Sequence, residues 1–314
     1  MSNRIEVVSV NLSEKKGTAK TPAAQIVLDA LGVQGDAHAG PWHRQVSLLS
    51  QESMDRFAED TGQRILPGGF AENITVRGID LGRTAPLDRF RIGAAELEVT
   101  QIGKQCHGEG CAIFQNVGRC AMPQEGVFCR VLRGGVVRPG DSVEYLPRTL
   151  RVHIITLSDR AWRGEYEDRS GPRVRELLEA FFSGRRDNAW RLETAATILP
   201  DEADRLREEL KNALARRVDV IFTAGGTGVG PRDCAPETVA AFCDKMIPGL
   251  MEHVRAKFGA QNPNALLSRA VAGVAGTTLL YTLPGSPRAV EEYLGEIFQT
   301  LEHLIFMVHG LDTH

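Results

Sequence analysis

Two aspartates and a glycine turn are the residues of this chain best suited to handle a phosphate ester. They are Asp201 in Pro200-Asp201-Glu202, Asp233 in Arg232-Asp233, and Gly225-Gly226-Thr227-Gly228. Glycines let backbone N–H groups approach an anion closely, and Thr227 adds a hydroxyl. One or two carboxylates commonly hold Mg2+ when substrate phosphates complete its shell. The turn is not a Walker loop, because no Gly-Lys-Ser/Thr follows, and Pro231 stands where the dinucleotide fingerprint needs its third glycine. Each feature also has a plain structural reading: a tight strand-to-helix connection for the turn, a helix N-cap for Asp201, a solvated loop residue for Asp233.

A second group lies in the first half: Cys106-His107, Cys111, Cys120 and Cys129. Zinc sites usually draw on paired Cys-x-x-Cys knuckles, and none is present. Cys129, inside the apolar run 127–132, reads as a buried and inert thiol. Cys106 follows Lys104 and precedes His107 on a glycine-rich loop, and Cys120 follows Arg119; a nearby cation enriches the thiolate. For Cys106 the reactive and inert readings both stay open.

The elements that must position these residues differ between the halves. Up to about Tyr145 the apolar segments are short and separated by Gly, Pro and Asp: 4–10, 46–49, 73–76, 89–92, 97–102, 126–132 and 142–145. Closely spaced strands of this kind predict a mostly-β barrel or sandwich, interrupted by one helix capped by Ser50 and ended by Gly62. From Arg151 strands alternate with helices. Val152–Leu157 and Val218–Thr223 are continuous apolar runs, as expected of strands covered on both faces. Helical spacing follows in Val174, Leu177, Leu178, Phe181 and Phe182, then in Leu206, Leu210 and Leu214. A final helix is capped by Ser286 with Pro287 in its first turn. The order predicts a three-layer α/β domain with a mainly parallel sheet, and a division of the chain into 1–148 and 149–314. In such sheets ligands bind beyond the carboxyl ends of the strands, where the four unusual loops fall: Ser158-Asp159-Arg160, Pro200-Asp201-Glu202, the glycine turn and Pro284-Gly285-Ser286-Pro287.

Bulk properties narrow the classes. The 314 residues carry a formal charge of −3, and residues 1–150 hold 17 basic against 17 acidic side chains, so no basic nucleic-acid footprint is expected. No apolar run spans a bilayer, and Met1–Val10 reads as a charged strand rather than a secretory leader, which predicts a cytoplasmic protein without disulfide staples.

The second half resembles a known family. Thr223-Ala-Gly-Gly-Thr-Gly-x-x-Pro-Arg-Asp233, the stretch from Ser158-Asp-Arg-Ala through Gly164, Tyr166 and Asp168 to Ser170-Gly171-Pro172, Ile198-Leu-Pro-Asp201-Glu202, Leu267-Ser-Arg269 and Leu283-Pro-Gly-Ser-Pro287 together look like the molybdopterin adenylyltransferases, which include the G domain of gephyrin. The match covers nearly all of residues 151–308 with the motifs in order. Ala235 replaces the family's usual Thr, which removes one hydroxyl. The resemblance implies that the terminal phosphate of molybdopterin attacks the α-phosphorus of ATP and releases pyrophosphate. By motif position it assigns Mg2+ and ATP to Asp201 and Asp233, and phosphates to Gly225, Gly226, Thr227 and Gly228. Ser158, Asp159, Asp168, Ser170, Gly171, Ser268, Pro284, Gly285 and Ser286 would line the pocket. It also implies a homotrimer.

The first half resembles the small MOSC domains, β-barrel modules related to the C-terminal part of molybdenum-cofactor sulfurase. The resemblance is carried by Gly35-Asp-Ala-His38, Arg44-Gln-Val-Ser-Leu-Leu49, Phe70-Ala-Glu-Asn-Ile74, Gly103-Lys-x-Cys106-His107 and Gly118-x-Cys120-x-Met122-Pro123. It implies a bound molybdenum or tungsten cofactor, or sulfur carried on Cys106, with Cys120 second. His38 and Arg44 would meet the pterin phosphate, or are surface residues that bind nothing; Glu72-Asn73 reads equally as a turn. Partners implied are the metal-insertion protein or a recipient molybdoenzyme. Two readings follow: a two-domain cofactor-maturation enzyme, and a non-catalytic pterin carrier, chaperone or scaffold, since fold alone does not fix function. A general nucleotide-binding regulator would need an adenine-specific motif, which the chain lacks.

Overall fold

The computed structural model describes residues 4–105, 120–183 and 190–311. The chain separates into two compact units, Met1–Arg148 with Arg186–Trp190, and Thr149–Arg185 with Arg191–His314. Sequence reading places residues 186–190 with the second half. Trp190 belongs to the first unit, where it is buried and its indole N–H donates to the Pro86 carbonyl at 2.7 Å.

The first unit is built on strands β1 (Glu6–Leu12), β2 (Thr21–Ala23), β3 (Ile26–Asp29), β4 (Gly32–Val33), β5 (Val46–Ser50), β6 (Ile74–Arg77), β7 (Arg89–Ile92), β8 (Ala95–Ile102), β9 (Val127–Arg133), β10 (Gly135–Val137) and β11 (Val143–Leu146). Eight form one mixed sheet in the order β11-β7-β8-β9-β5-β6-β1-β2, in which β5 and β6 run parallel; β10, β3 and β4 form a second, smaller sheet. A bridge pairs Glu6 with Ser142, and the Val7 N–H donates to the Asp141 carbonyl, so β1 also meets the chain just before β11. Alternate residues such as Val10, Leu48, Ile74, Phe90, Leu97 and Val127 form one apolar core. Helix α1 (Gln51–Thr61) starts and stops as its sequence dictates: the Ser50 hydroxyl accepts the Ser53 N–H, and Gly62 ends it in the left-handed conformation at φ 70°. A short helix α2 (Met122–Glu125) precedes β9. The sequence reading misses β2, β3, β4 and β10, which are two to four residues long and carry too little periodicity to read.

The second unit holds one six-stranded sheet. Its strands are β12 (Thr149–Leu157), β13 (Arg191–Leu199), β14 (Val220–Ala224), β15 (Lys245–Met246), β16 (Ala272–Ala275) and β17 (Thr278–Leu283), in the order β13-β12-β14-β17-β16-β15. The first four in that order are parallel; β16 and β15 add antiparallel at one edge. Helices α3 (Asp159–Trp162), α4 (Ser170–Ser183), α5 (Ala203–Ala215), α6 (Ala235–Ala240), α7 (Pro248–Gly259) and α8 (Pro287–Val308) complete the unit. On one face Ile155, Ile221 and Leu280 pack against Leu206, Leu210 and Ala213 of α5 and Val239 of α6. The buried stripes of α4 and α8 pack on each other, with Phe181 stacked on Phe298 at 4.4 Å. The short helices α3 and α6, and α7, β15 and β16, are not anticipated by the sequence reading.

Candidate active site

The parallel register brings the loops together. Leu157 pairs with Leu199, Thr156 with Ala224, and Ala224 with Leu283. Four strands therefore end nearly level, and the residues that follow them meet at one edge. A cavity of about 560 Å3 opens there, and Ser158, Asp159, Asp168, Ser170, Asp201, Gly225, Gly226, Thr227, Gly228, Asp233 and Gly285 all line it. Gly171, Ser268, Pro284 and Ser286 stand outside that wall. Ser286 caps α8, its hydroxyl accepting the Ala289 N–H.

The glycine turn is held too close to its neighbours for side chains. Gly225 has φ +107°, and a Cβ there would lie 2.3 Å from the Leu157 carbonyl oxygen. Gly226 is also left-handed, at φ +64°. Asp233 folds back beneath the turn: the Gly230 N–H donates to its Oδ2 at 2.7 Å, and a Cβ on Gly228 would lie 2.8 Å from the same oxygen.

Asp201 does not cap its own helix. Glu202 is the N-cap of α5 and makes no side-chain cap bond, so the capping reading fails for Asp201. The Asp201 carboxylate instead accepts the Asp159 N–H at 3.0 Å, and the Asp201 N–H donates to Asp159 Oδ1 at 3.2 Å. The Arg232 guanidinium bridges the pair, donating to Asp159 Oδ1 at 2.8 Å and to the Asp201 carbonyl at 3.3 Å. Burial raises the Asp201 carboxyl above the usual carboxylate range. The charges of Asp159 and Asp233 add to that rise, while the Asp159 N–H and Arg232 oppose it. Asp168 serves the fold as well as the wall: it accepts the N–H groups of Ser170 and Gly171 at the start of α4 and the Thr156 hydroxyl at 2.8 Å. Ser170 donates its hydroxyl to the Gly285 carbonyl at 2.7 Å, tying α4 to the β17 loop. Ser158 accepts the Ala161 N–H and caps α3.

Residues outside the sequence-derived list also reach the site. Tyr166 lines the cavity with the Arg160 guanidinium 5.4 Å from its ring centre, and Arg163 lines it as well. Arg232 and Arg269 hold the acidic loops and the glycine turn; both stand inside the quoted motifs, Arg232 beside Asp233, Arg269 with no acidic or glycine neighbour in sequence to signal it.

In the first unit Lys20 and Asp36 form a fully buried ion pair. Burial opposes ionisation of Asp36, but hydrogen bonds from His38 and Lys20 outweigh it and hold the carboxyl below its usual range. Asp36 also accepts the Ser13 N–H at 3.0 Å and the Asn73 amide at 3.1 Å. Glu72-Asn73 is thus no exposed turn: Glu72 is buried and accepts the Gly68 N–H and the Thr75 hydroxyl. His38 stays partly exposed, stacked on Trp42 at 6.4 Å, and the Arg44 guanidinium lies 5.0 Å from the Trp42 ring centre on the strength of a cation–π contact. Lys16 and Lys104 stand over Trp42 and Phe128 nearby. Burial pushes the Cys129 thiol far up, as the inert reading requires. Cys106, His107 and Cys111 lie outside the described residues; Cys120 is partly buried.

A mixed α/β sheet with a glycine turn and acidic loops around one cavity at its carboxyl edge defines a small-molecule-binding α/β domain, joined here to a β-rich module. Residues 153–303 match the family model described as "Probable molybdopterin binding domain", and residues 35–144 match the MOSC domain model. The chain is 33% identical over 164 residues to a molybdopterin adenylyltransferase of Helicobacter pylori, covering 52% of this chain and 90% of that one. It is 35% identical over 156 residues to the molybdenum cofactor synthesis protein cinnamon of Drosophila melanogaster, covering 49% of this chain but only 25% of that longer protein. A solved molybdopterin biosynthesis enzyme from Thermus thermophilus is 38% identical, covering 52% of this chain and 98% of that one, with a TM-score of 0.46. The chain belongs to the molybdopterin-binding family of molybdenum-cofactor biosynthesis proteins, with a MOSC domain fused ahead of the family domain.

Proposed function

We propose that the second unit adenylylates molybdopterin with ATP. A terminal phosphate oxygen of the pterin attacks the α-phosphorus, the bond to the bridging oxygen breaks, and pyrophosphate leaves. The observation that carries this reading is the shared cavity: Asp201, Asp233 and the Gly225–Gly228 turn line one wall system at the carboxyl edge of the sheet. The nucleophile belongs to the substrate, so the protein's task is positioning and charge neutralisation. Backbone N–H groups of the glycine turn face the phosphates, and Arg160 and Arg163 add positive charge on the same wall.

Magnesium fits the acidic side of the cavity. Asp159, Asp201 and Asp233 all line it, and burial, with the charges of Asp159 and Asp233 adding to it, raises the Asp201 carboxyl. A cation of this kind takes its remaining ligands from the substrate's phosphates. Asp201 and Asp233 would hold it. When bound it neutralises charge on the phosphate oxygens and fixes their geometry.

For the first unit the proposed role is to bind the pterin cofactor, molybdenum or tungsten form, or to carry sulfur on Cys106. His38 and Arg44, with Lys16 and Lys104 beside them, supply a positive face for its phosphate, and the eight-stranded sheet with its Glu6–Ser142 bridge would form the expected barrel. A cytoplasmic homotrimer that passes its product to a metal-insertion protein or a molybdoenzyme completes the proposal.

The test is Mg-ATP-dependent formation of adenylylated molybdopterin and pyrophosphate by the purified chain. No product with both substrates present, alongside retained pterin binding, leaves the carrier reading instead. Mass spectrometry of the protein as isolated, for a pterin nucleotide and for a persulfide on Cys106, tests the first unit.

A further inference from the structure

Four consecutive backbone N–H groups, those of Gly226, Thr227, Gly228 and Val229, donate to no protein acceptor among the described residues. Such a row of free donors stands only if something turns the corresponding carbonyls away. Arg269 does this. Its own N–H donates to the Thr227 carbonyl at 2.9 Å, its Nε donates to the Gly228 carbonyl at 2.6 Å, and its Nη2 donates to the Asp233 carbonyl at 2.9 Å. The remaining nitrogen, Nη1, forms an ion pair with Glu237 of α6, which fixes the guanidinium plane.

In a trans peptide the C=O and the following N–H point in opposite directions. Holding the Thr227 carbonyl toward Arg269 therefore aims the Gly228 N–H the other way, and holding the Gly228 carbonyl does the same for the Val229 N–H. Thr227 and Gly228 both line the cavity. The Asp233 carbonyl bond anchors the far end of the loop, next to the carboxylate that faces the turn. The planar fork holds the Gly228 and Asp233 carbonyls at once, beside its ion pair with Glu237; a lysine ammonium cannot reproduce that geometry.

We propose that Arg269 is a positioning residue that pre-sets the far half of the glycine turn as an anion cradle, aiming the Gly228 and Val229 N–H groups at the nucleotide phosphates without touching them. The inference rests on the adenylylation reading, because it presumes that the cradle takes a triphosphate. It predicts a selective effect: nucleotide affinity falls while pterin affinity and the fold persist.

Calorimetric titration of Mg-ATP into the full chain, with KM measured separately for ATP and for molybdopterin, tests it. Arg269→Lys keeps charge and stem but loses the fork, and Arg269→Ala loses both; each is expected to weaken Mg-ATP binding by about tenfold or more, as the loss of two or more oriented hydrogen bonds implies. The KM for molybdopterin and the thermal melt of Arg269→Lys should stay near wild type, and guanidinium ion added to Arg269→Ala should restore part of the ATP affinity. Wild-type ATP affinity in Arg269→Lys overturns the proposal, as does an equal rise in both KM values. Wild-type protein that makes product but gains nothing from Arg269 sinks only this inference; wild-type protein that binds no Mg-ATP sinks the adenylylation reading with it.

Discussion

Asp159 and Asp201 hold each other's backbone: the Asp159 N–H donates to the Asp201 carboxylate at 3.0 Å, and the Asp201 N–H returns to Asp159 at 3.2 Å. The exchange locks the loops after β12 and β13 together and leaves two like charges side by side, with Arg232 as the counter-cation.

Substituting Asp201 by Asn should separate activity from stability. Asn removes the charge proposed to hold Mg2+ and the phosphates, so adenylylation should fall by at least about a hundredfold while molybdopterin binding survives. The sign of the stability change follows from linkage. A carboxyl whose folded pKa is raised binds its proton more tightly when folded, so its contribution is present at low pH and is lost as pH rises from the unfolded value of 3.8 through the raised folded one. At neutral pH the ionised Asp201 is therefore destabilising, and Asp201→Asn should melt at or above the wild-type temperature. A thermal melt lowered by several degrees would contradict this.

The same electrostatics predict a pH profile. Activity that needs ionised Asp201 should fall on the acid side at a pH above that of an ordinary aspartate. Asp159→Asn removes one repelling charge, so the acid limb should move to lower pH. Measurement of kcat/KM against pH in the two proteins decides it, and an unmoved limb would count against the coupling.

Gly225→Ala should fail on geometry. The new Cβ would meet the Leu157 carbonyl oxygen at 2.3 Å on top of a strained φ of +107°, whereas Gly164→Ala at φ +72° meets open space. Denaturant melts should show a loss of about 1–3 kcal/mol from backbone strain at Gly164 and a larger loss, with loss of ATP binding, at Gly225. Equal losses at the two sites would refute the steric argument.

In the first unit, Lys20→Met strands the buried Asp36 without its counter-charge. Breaking a buried pair in this way costs about 3–5 kcal/mol. In the wild type the depressed Asp36 carboxyl contributes stability that is present above the unfolded value of 3.8 and is lost as pH falls below it toward the folded value. Chemical denaturation of the intact chain between pH 3 and pH 7, following tryptophan fluorescence, should show that acid loss in wild type and little of it in Asp36→Asn.

Much of the second unit was legible because its signals are local. The apolar run 152–157, the stripe of α5 and the cap and proline that open α8 each specify one element from its own residues, and β12, α5 and α8 stand there. The antiparallel edge is not legible in this way: Ala272–Ala275 is too short and too poor in branched side chains to announce a strand, and it exists because Tyr281 and its neighbours in β17 offer a partner. Asp201 shows the same limit at the site. Its position before α5 reads as a cap, and only contact with Asp159, 42 residues earlier, gives its carboxylate another acceptor role. The sequence alone determined the residue types, the motifs and the alternation that builds a parallel sheet. What the tertiary structure decided is which loops share an edge, that Asp159 completes the acidic pair and that Arg269 turns the carbonyls of the glycine turn, because register and side-chain reach across distant segments exist only once the sheet has closed.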